Sequence, residues 1–114
     1  MKRDKPYLQH MYDSMSDIEQ FTRDVSQGQF FENKEKQYAV IRALEIIGEA
    51  TKNISRQLRA TYPKIPWKTM AGMRDKLIHE YFGVKLERLW EVIQKDLPAL
   101  KEQISQILEQ IADA

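Results

Sequence analysis

Between Leu8 and Val25 the apolar residues Leu8, Met11, Met15, Ile18, Phe21 and Val25 recur every three or four positions, with Asp13, Asp17, Glu19 and Arg23 between them. That period draws one apolar stripe along an amphipathic helix. The helix is expected to stop near Ser26-Gln27-Gly28, because Gly supplies the left-handed backbone of a C-terminal cap. A short turn through Gln29, Phe30 and Phe31 should follow, with Asn33 as the next N-cap. A second helix carries Val40, Leu44, Ile47, Thr51, Ile54 and Leu58, again three or four apart, and extends for about seven turns. Its small residues Ala43, Gly48 and Ala50 admit a close neighbour, while Arg42, Glu45, Glu49, Lys52 and Arg56 form a solvated face of alternating sign.

Tyr62-Pro63-Lys64-Ile65-Pro66 interrupts this pattern, since each proline biases its predecessor away from helix and Pro66 suits the first turn of a new one. A third helix is predicted from about Trp67 to Phe82, ending at Gly83. Lys85 to Leu97 gives a fourth, and Pro98 begins a fifth with Leu100, Ile104, Ile107, Leu108 and Ile111. Short connections make neighbours antiparallel. The expected fold class is therefore all-α, an up-and-down bundle of about five helices forming a single domain over residues 1–114.

Composition narrows the chemistry. With no cysteine, disulfide scaffolds, thiol nucleophiles and thiolate zinc sites are excluded, and two histidines argue against a protein-only zinc centre. No metal and no cofactor are expected. The charged start, Met1 to Tyr7, leads into no apolar core stretch, and no run approaches the ~18 apolar residues of a membrane span. A cytoplasmic protein without membrane contact is the expectation. Eighteen Lys plus Arg against 17 Asp plus Glu leave a net charge of +1, far from the basic footprint of a general nucleic-acid binder. Any phosphodiester chemistry would depend on a few placed residues.

One charge stands out of place. At 100° per residue with Trp67 at zero, Met70, Leu77, Tyr81 and Ile78 bracket Arg74 at about 340°, inside the apolar stripe of the third helix. An unpaired guanidinium is costly there. Asp75 and His79, four residues apart, border the same stripe. A structural reading pairs Arg74 with Glu45 or Glu49 and leaves His79 and Tyr81 as packing residues. Arg, Asp, His and Tyr within two turns favour a site instead, without naming its reaction. His10 lies on the polar side of the first helix, and Trp67, Trp90, Phe30 and Phe31 read as core because no basic run interleaves them.

The string Met73-Arg74-Asp75-Lys76-Leu77-Ile78-His79-Glu80-Tyr81 resembles the Arg-x4-His motif of the HEPN superfamily. His79-x-Tyr81, followed by Phe82-Gly83-Val84, is similar to its HepT-like branch, and so is the block from Arg42 to Ala50. That branch comprises toxins of a two-gene, type VII-like toxin–antitoxin module. The resemblance implies a HEPN-like homodimer whose two Arg-His motifs meet in an intersubunit cleft, and a metal-independent endoribonuclease acting on RNA. It assigns catalysis to Arg74 and His79, a supporting, orienting role to Asp75, and to Tyr81 modification by AMP units. The partner implied for that modification is a cognate minimal nucleotidyltransferase, the antitoxin. Two other readings stand beside this one: a non-catalytic, nucleotide- or partner-binding helical dimer acting with a nucleotidyltransferase, which near-neutral charge favours, and a purely structural dimer with Arg74 in a buried ion pair.

Overall fold

The computed structural model describes the backbone of residues 1–79 and 85–112, and the side chains of residues 1–73 and 85–111. Among the described residues all regular structure is helical: α1 (Lys5–Thr22), α2 (Gln27–Glu32), α3 (Lys34–Lys52), α4 (Arg56–Thr61), α5 (Trp67–His79), α6 (Leu86–Glu91) and α7 (Leu97–Ala112). A single 3-10 turn, Lys2–Asp4, precedes α1, and a π-helical turn, Val92–Asp96, joins α6 to α7. The molecule measures 45 × 30 × 20 Å. Its thinnest dimension matches two layers of helices, each ~10–12 Å across with side chains.

The core follows the stripes read from the sequence. Leu8, Met11, Met15 and Ile18 of α1 are fully buried against Val40, Leu44 and Ile47 of α3. α5 also packs on α3, and α7 closes over α1 with Ile104 and Ile107. Thr51 is also fully buried, but its hydroxyl is satisfied within α3 by the Ile47 carbonyl at 2.7 Å. No described helix is long and apolar enough to cross a membrane.

Three boundaries differ from expectation, each for a local reason. α1 ends at Thr22, and the left-handed residue of the reversal is Asp24 at φ 59°, an acid whose short polar side chain tolerates that region. Gly28 instead lies inside α2, where Phe30 and Phe31 are helical rather than in a turn. Ser26 opens that helix with a capping box: its hydroxyl accepts the Gln29 N–H at 3.1 Å, and the Gln29 side chain accepts the Ser26 N–H at 2.9 Å. Asn33 then caps α3 as expected, accepting the Lys36 N–H at 3.0 Å.

The long second helix is two helices. α3 stops at Lys52 and α4 starts at Arg56, with Ser55 as its N-cap accepting the Leu58 N–H at 3.1 Å. Asp4 holds this break from outside: its carboxylate accepts both the Ser55 N–H and the Ser55 hydroxyl at 2.7 Å. Arg59 reaches back across the break to the Thr51 carbonyl at 2.7 Å. Ile54 and Leu58 stay buried, so the apolar period survives a break that it does not reveal.

The expected fourth and fifth helices form a continuous rod, Leu86 to Ala112, rather than an antiparallel pair. Proline inside a helix lacks an N–H and its ring crowds the carbonyl four residues back. Here the turn before Pro98 widens: the Leu97 N–H bonds to the Val92 carbonyl, five residues back, and the chain continues. The expected end of the third helix at Phe82-Gly83 lies outside the described residues.

Candidate active site

The helix carrying the candidate residues is anchored at its start. Trp67 is buried, and its indole N–H donates to the Tyr62 carbonyl at 2.8 Å, tying α5 to the end of α4. The Pro66 carbonyl accepts the Met70 N–H at 3.0 Å and begins the helical ladder. Met70 is buried beneath α5 where it packs on α3. From that anchor the backbone is helical without interruption through His79.

Arg74, Asp75 and His79 therefore share one helix. Arg74 and His79 stand ~7.5 Å apart along its axis, and Asp75 and His79 ~6 Å, at 1.5 Å per residue. Asp75 and His79 keep the four-residue spacing that makes neighbours on a helix surface. The side chains of these three residues, and Tyr81 altogether, lie outside the described residues. Glu45, a partner considered for Arg74, lies 3.3 Å from Arg42. His10 is exposed on α1, as its place in the pattern suggested, with its ring edge-on to Tyr7 at 6.5 Å. Phe30 is fully buried and stacks obliquely with Trp90 at 5.4 Å, so these aromatics serve the core. Among the described residues no three His, Asp or Glu side chains gather where a metal ion would fit.

Sequence reasoning passed over a feature next to this helix. A cavity of ≈ 310 Å³ lies between α5 and the α6–α7 rod, and Arg88 and Lys95 line it from the rod. Glu91 stands between those cations, 3.0 Å from Arg88 and 3.7 Å from Lys95. The hydrogen bond from Arg88, then the Lys95 charge, hold the Glu91 carboxyl below the usual carboxylate range. The three- and four-residue spacing of Arg88, Glu91 and Lys95 was visible in the sequence. What it could not show is that the π turn places Lys95 and Asp96 beside the same cavity as Arg88.

Comparison with known proteins finds relatives along nearly the whole chain. Residues 11–107 match the model of the family described as ribonuclease HepT-like. A protein of Thermococcus cleftensis named a probable ribonuclease HepT is 51% identical over 102 residues, covering 89% of this chain and 93% of its own. A Methanocaldococcus jannaschii protein whose name joins a gamma-glutamylcyclotransferase to a proposed RNase is 50% identical over 112 residues, or 97% of this chain. The chain spans about half of that relative's length, 50%. A second protein of that organism, named as a proposed RNase, is 45% identical over 113 residues, covering 98% of this chain and 97% of its own. No solved structure gives a match.

Proposed function

The chain belongs to the HepT-like ribonuclease family, and from that premise we propose that it is a metal-independent endoribonuclease with Arg74 and His79 as its catalytic pair. The observation that carries this reading is the family match over residues 11–107, which includes the whole Arg74-x4-His79 motif on one unbroken helix. A neutral His79 imidazole takes the proton of a ribose 2′-hydroxyl as the 2′-oxygen bonds to phosphorus. The P–O5′ bond breaks, and an imidazolium returns a proton to the departing 5′-oxygen. Such proton transfer typically contributes ~10²–10⁴ in rate. Arg74 offsets the added negative charge of the phosphorane, where loss of one donor costs ~3–4 kcal/mol. Asp75 orients the pair. Products are a 2′,3′-cyclic phosphate, or its hydrolysed form, and a 5′-hydroxyl.

In this reading two copies form a twofold dimer, so that two motifs face one cleft and supply separate base and acid histidines. It also accounts for an arginine placed within an apolar stripe, which a polar cleft accommodates better than a monomer core. The protein acts as the toxin of a toxin–antitoxin module. Its partner, a minimal nucleotidyltransferase, transfers AMP from ATP to the Tyr81 phenol oxygen with release of pyrophosphate and a proton. Negative charge and bulk next to His79 then exclude RNA phosphate.

The test incubates mass-verified, unmodified protein with total RNA in EDTA, beside His79→Ala. Cleavage that survives EDTA, leaves 5′-hydroxyl ends and disappears in the variant is expected. Absence of cleavage by the folded, unmodified dimer overturns the enzyme reading and favours a nucleotide- or partner-binding module acting with the transferase.

A further inference from the structure

Two segments far apart in sequence meet at one end of the bundle. Both oxygens of the buried Asp4 carboxylate are engaged by Ser55, through its N–H and its hydroxyl at 2.7 Å. That clasp sets Lys2, Arg3 and Lys5 beside the start of α4, where Arg56 directly follows Ser55. These four cations are exposed, and among the described residues none of them pairs with a carboxylate. Arg59, one turn along α4, is bonded to the neutral Thr51 carbonyl, which leaves its charge unbalanced. Residues 1–5 and 52–59 contain six Lys or Arg and one Asp, a net charge of +5, so the rest of this +1 chain carries −4. Two further carboxylates belong near this end. Glu49 is one turn before Asn53 on α3, and Glu109 approaches from α7, which runs antiparallel to α1 because Lys101 near its start bonds Glu19 near the end of α1. With both counted, the end of the bundle retains +3. Near-neutrality of the whole chain conceals a separation of charge.

The fold works against this placement. Cations at the N-terminus of a helix oppose the positive end of its dipole, yet Lys5 opens α1, Lys2 and Arg3 precede it, and no acid lies in its first turn. Asp4, the N-cap residue, makes no capping bond within α1, its carboxylate being committed to Ser55. Like charges are thus gathered where they repel each other and the helix, without an internal partner. Local rules of stability are broken in this way where a surface serves function.

We propose that this end of the bundle is a docking surface for the phosphate backbone of RNA, separate from the Arg74–His79 motif. The proposal deepens the ribonuclease reading and rests on it for the identity of the polyanion. Trp67, tied to Tyr62 at the end of α4, starts α5, and His79 lies ~18 Å further along that helix. RNA that engages both places therefore extends over a distance on the order of 20 Å. Phosphate contacts position a strand without reading its sequence. The surface accordingly raises affinity for long RNA and leaves the chemical step to the motif.

Fluorescence anisotropy of labelled transfer RNA, titrated in EDTA at several salt concentrations with protein carrying His79→Ala, tests the proposal without requiring cleavage. Adding Arg3→Gln with Arg56→Gln is expected to weaken binding about tenfold at ~0.1 M salt and to lower the slope of log affinity against log salt by about 1.5. The urea midpoint should be unchanged or higher, since cations leave unfavourable positions. A control pair, Arg23→Gln with Lys34→Gln, removes exposed cations at the end of α1 and the start of α3 and should alter binding by less than about twofold. With His79 intact, the Arg3 and Arg56 pair should raise KM for transfer RNA and leave kcat unchanged. If that pair does not fold, Lys2→Gln with Lys5→Gln takes its place. Unchanged affinity and slope, or an equal loss in the control pair, overturns the docking surface. A shift in oligomeric state with RNA affinity unchanged assigns the surface to a second copy and also overturns it. RNA binding that depends on Arg3 and Arg56, without cleavage by the unaltered protein, removes the ribonuclease reading alone, whereas cleavage at the parental KM in the variant removes the docking surface alone.

Discussion

The contacts that α3 makes with α1 and with α5 are built differently. Toward α1 the contact is closely packed and multiply tied: Leu8, Met11 and Ile18 are fully buried, and the Asp4 carboxylate holds Ser55 through two bonds of 2.7 Å, while Met15, buried too, reaches the edge of the cavity. Toward α5 and the α6–α7 rod the packing opens into a cavity whose rim is charged and exposed. Close packing gives one side stability, while incomplete packing leaves the other with room for a ligand. The helix bearing Arg74 and His79 borders the open cavity but is anchored at its start, through the Trp67 bond to the Tyr62 carbonyl and the packing of Met70 on α3.

If this division of labour holds, the largest effects of substitution should separate by type. His79→Ala should lower RNA cleavage by ~10²–10⁴, with the thermal midpoint of unfolding unchanged. Equal loss of fold and activity would place His79 in the core instead. Ile18→Ala on the closed side should do the reverse. Ile18 is fully buried between helices, and its truncation should cost ~2–5 kcal/mol in urea denaturation. Where the variant remains folded, cleavage should persist. An intact stability in Ile18→Ala would break the comparison at its firmer end.

Asp4→Ala is the next test. It leaves the half-buried Ser55 N–H and hydroxyl without their acceptor, and a hydrogen bond to a charged group contributes ~1.5–3 kcal/mol. Hydrogen exchange should quicken first at Ser55 and in α4, before α3. Uniform acceleration along α3 would mean that Asp4 secures the whole helix pair rather than its break.

The same residues show how much was legible beforehand. Periodicity identifies the stripes of α1, α3 and α7, since burial alone imposes a repeat of three to four residues. It does not see the break at Ser55, because Ile54 and Leu58 continue the apolar rhythm and the decisive partner, Asp4, is 51 residues away. Nor does it see that Pro98 is absorbed by a π turn, since a proline rule describes the local ladder and not the packing that keeps Ile93 and Leu97 buried ahead of it. Arg74 was conspicuous for the opposite reason: a charge inside an apolar stripe violates the pattern. The cavity violates no pattern and emerges only when α5 and the rod are brought together.

The smallest expected effect lies on the exposed rim. Glu91 has its carboxyl lowered by the Arg88 hydrogen bond and by Lys95, so in the folded chain it remains ionised to a lower pH than in the unfolded one. Its contribution to stability is therefore complete above the unfolded carboxyl range and is lost as pH falls through the lowered folded value. Glu91→Gln should lower the urea midpoint slightly at neutral pH and in low salt, and the difference from the parent should vanish once pH has fallen below the lowered folded value of the carboxyl. High salt should also erase it, because exposed charges are screened. A difference in midpoint that persists in acid would assign the effect to packing.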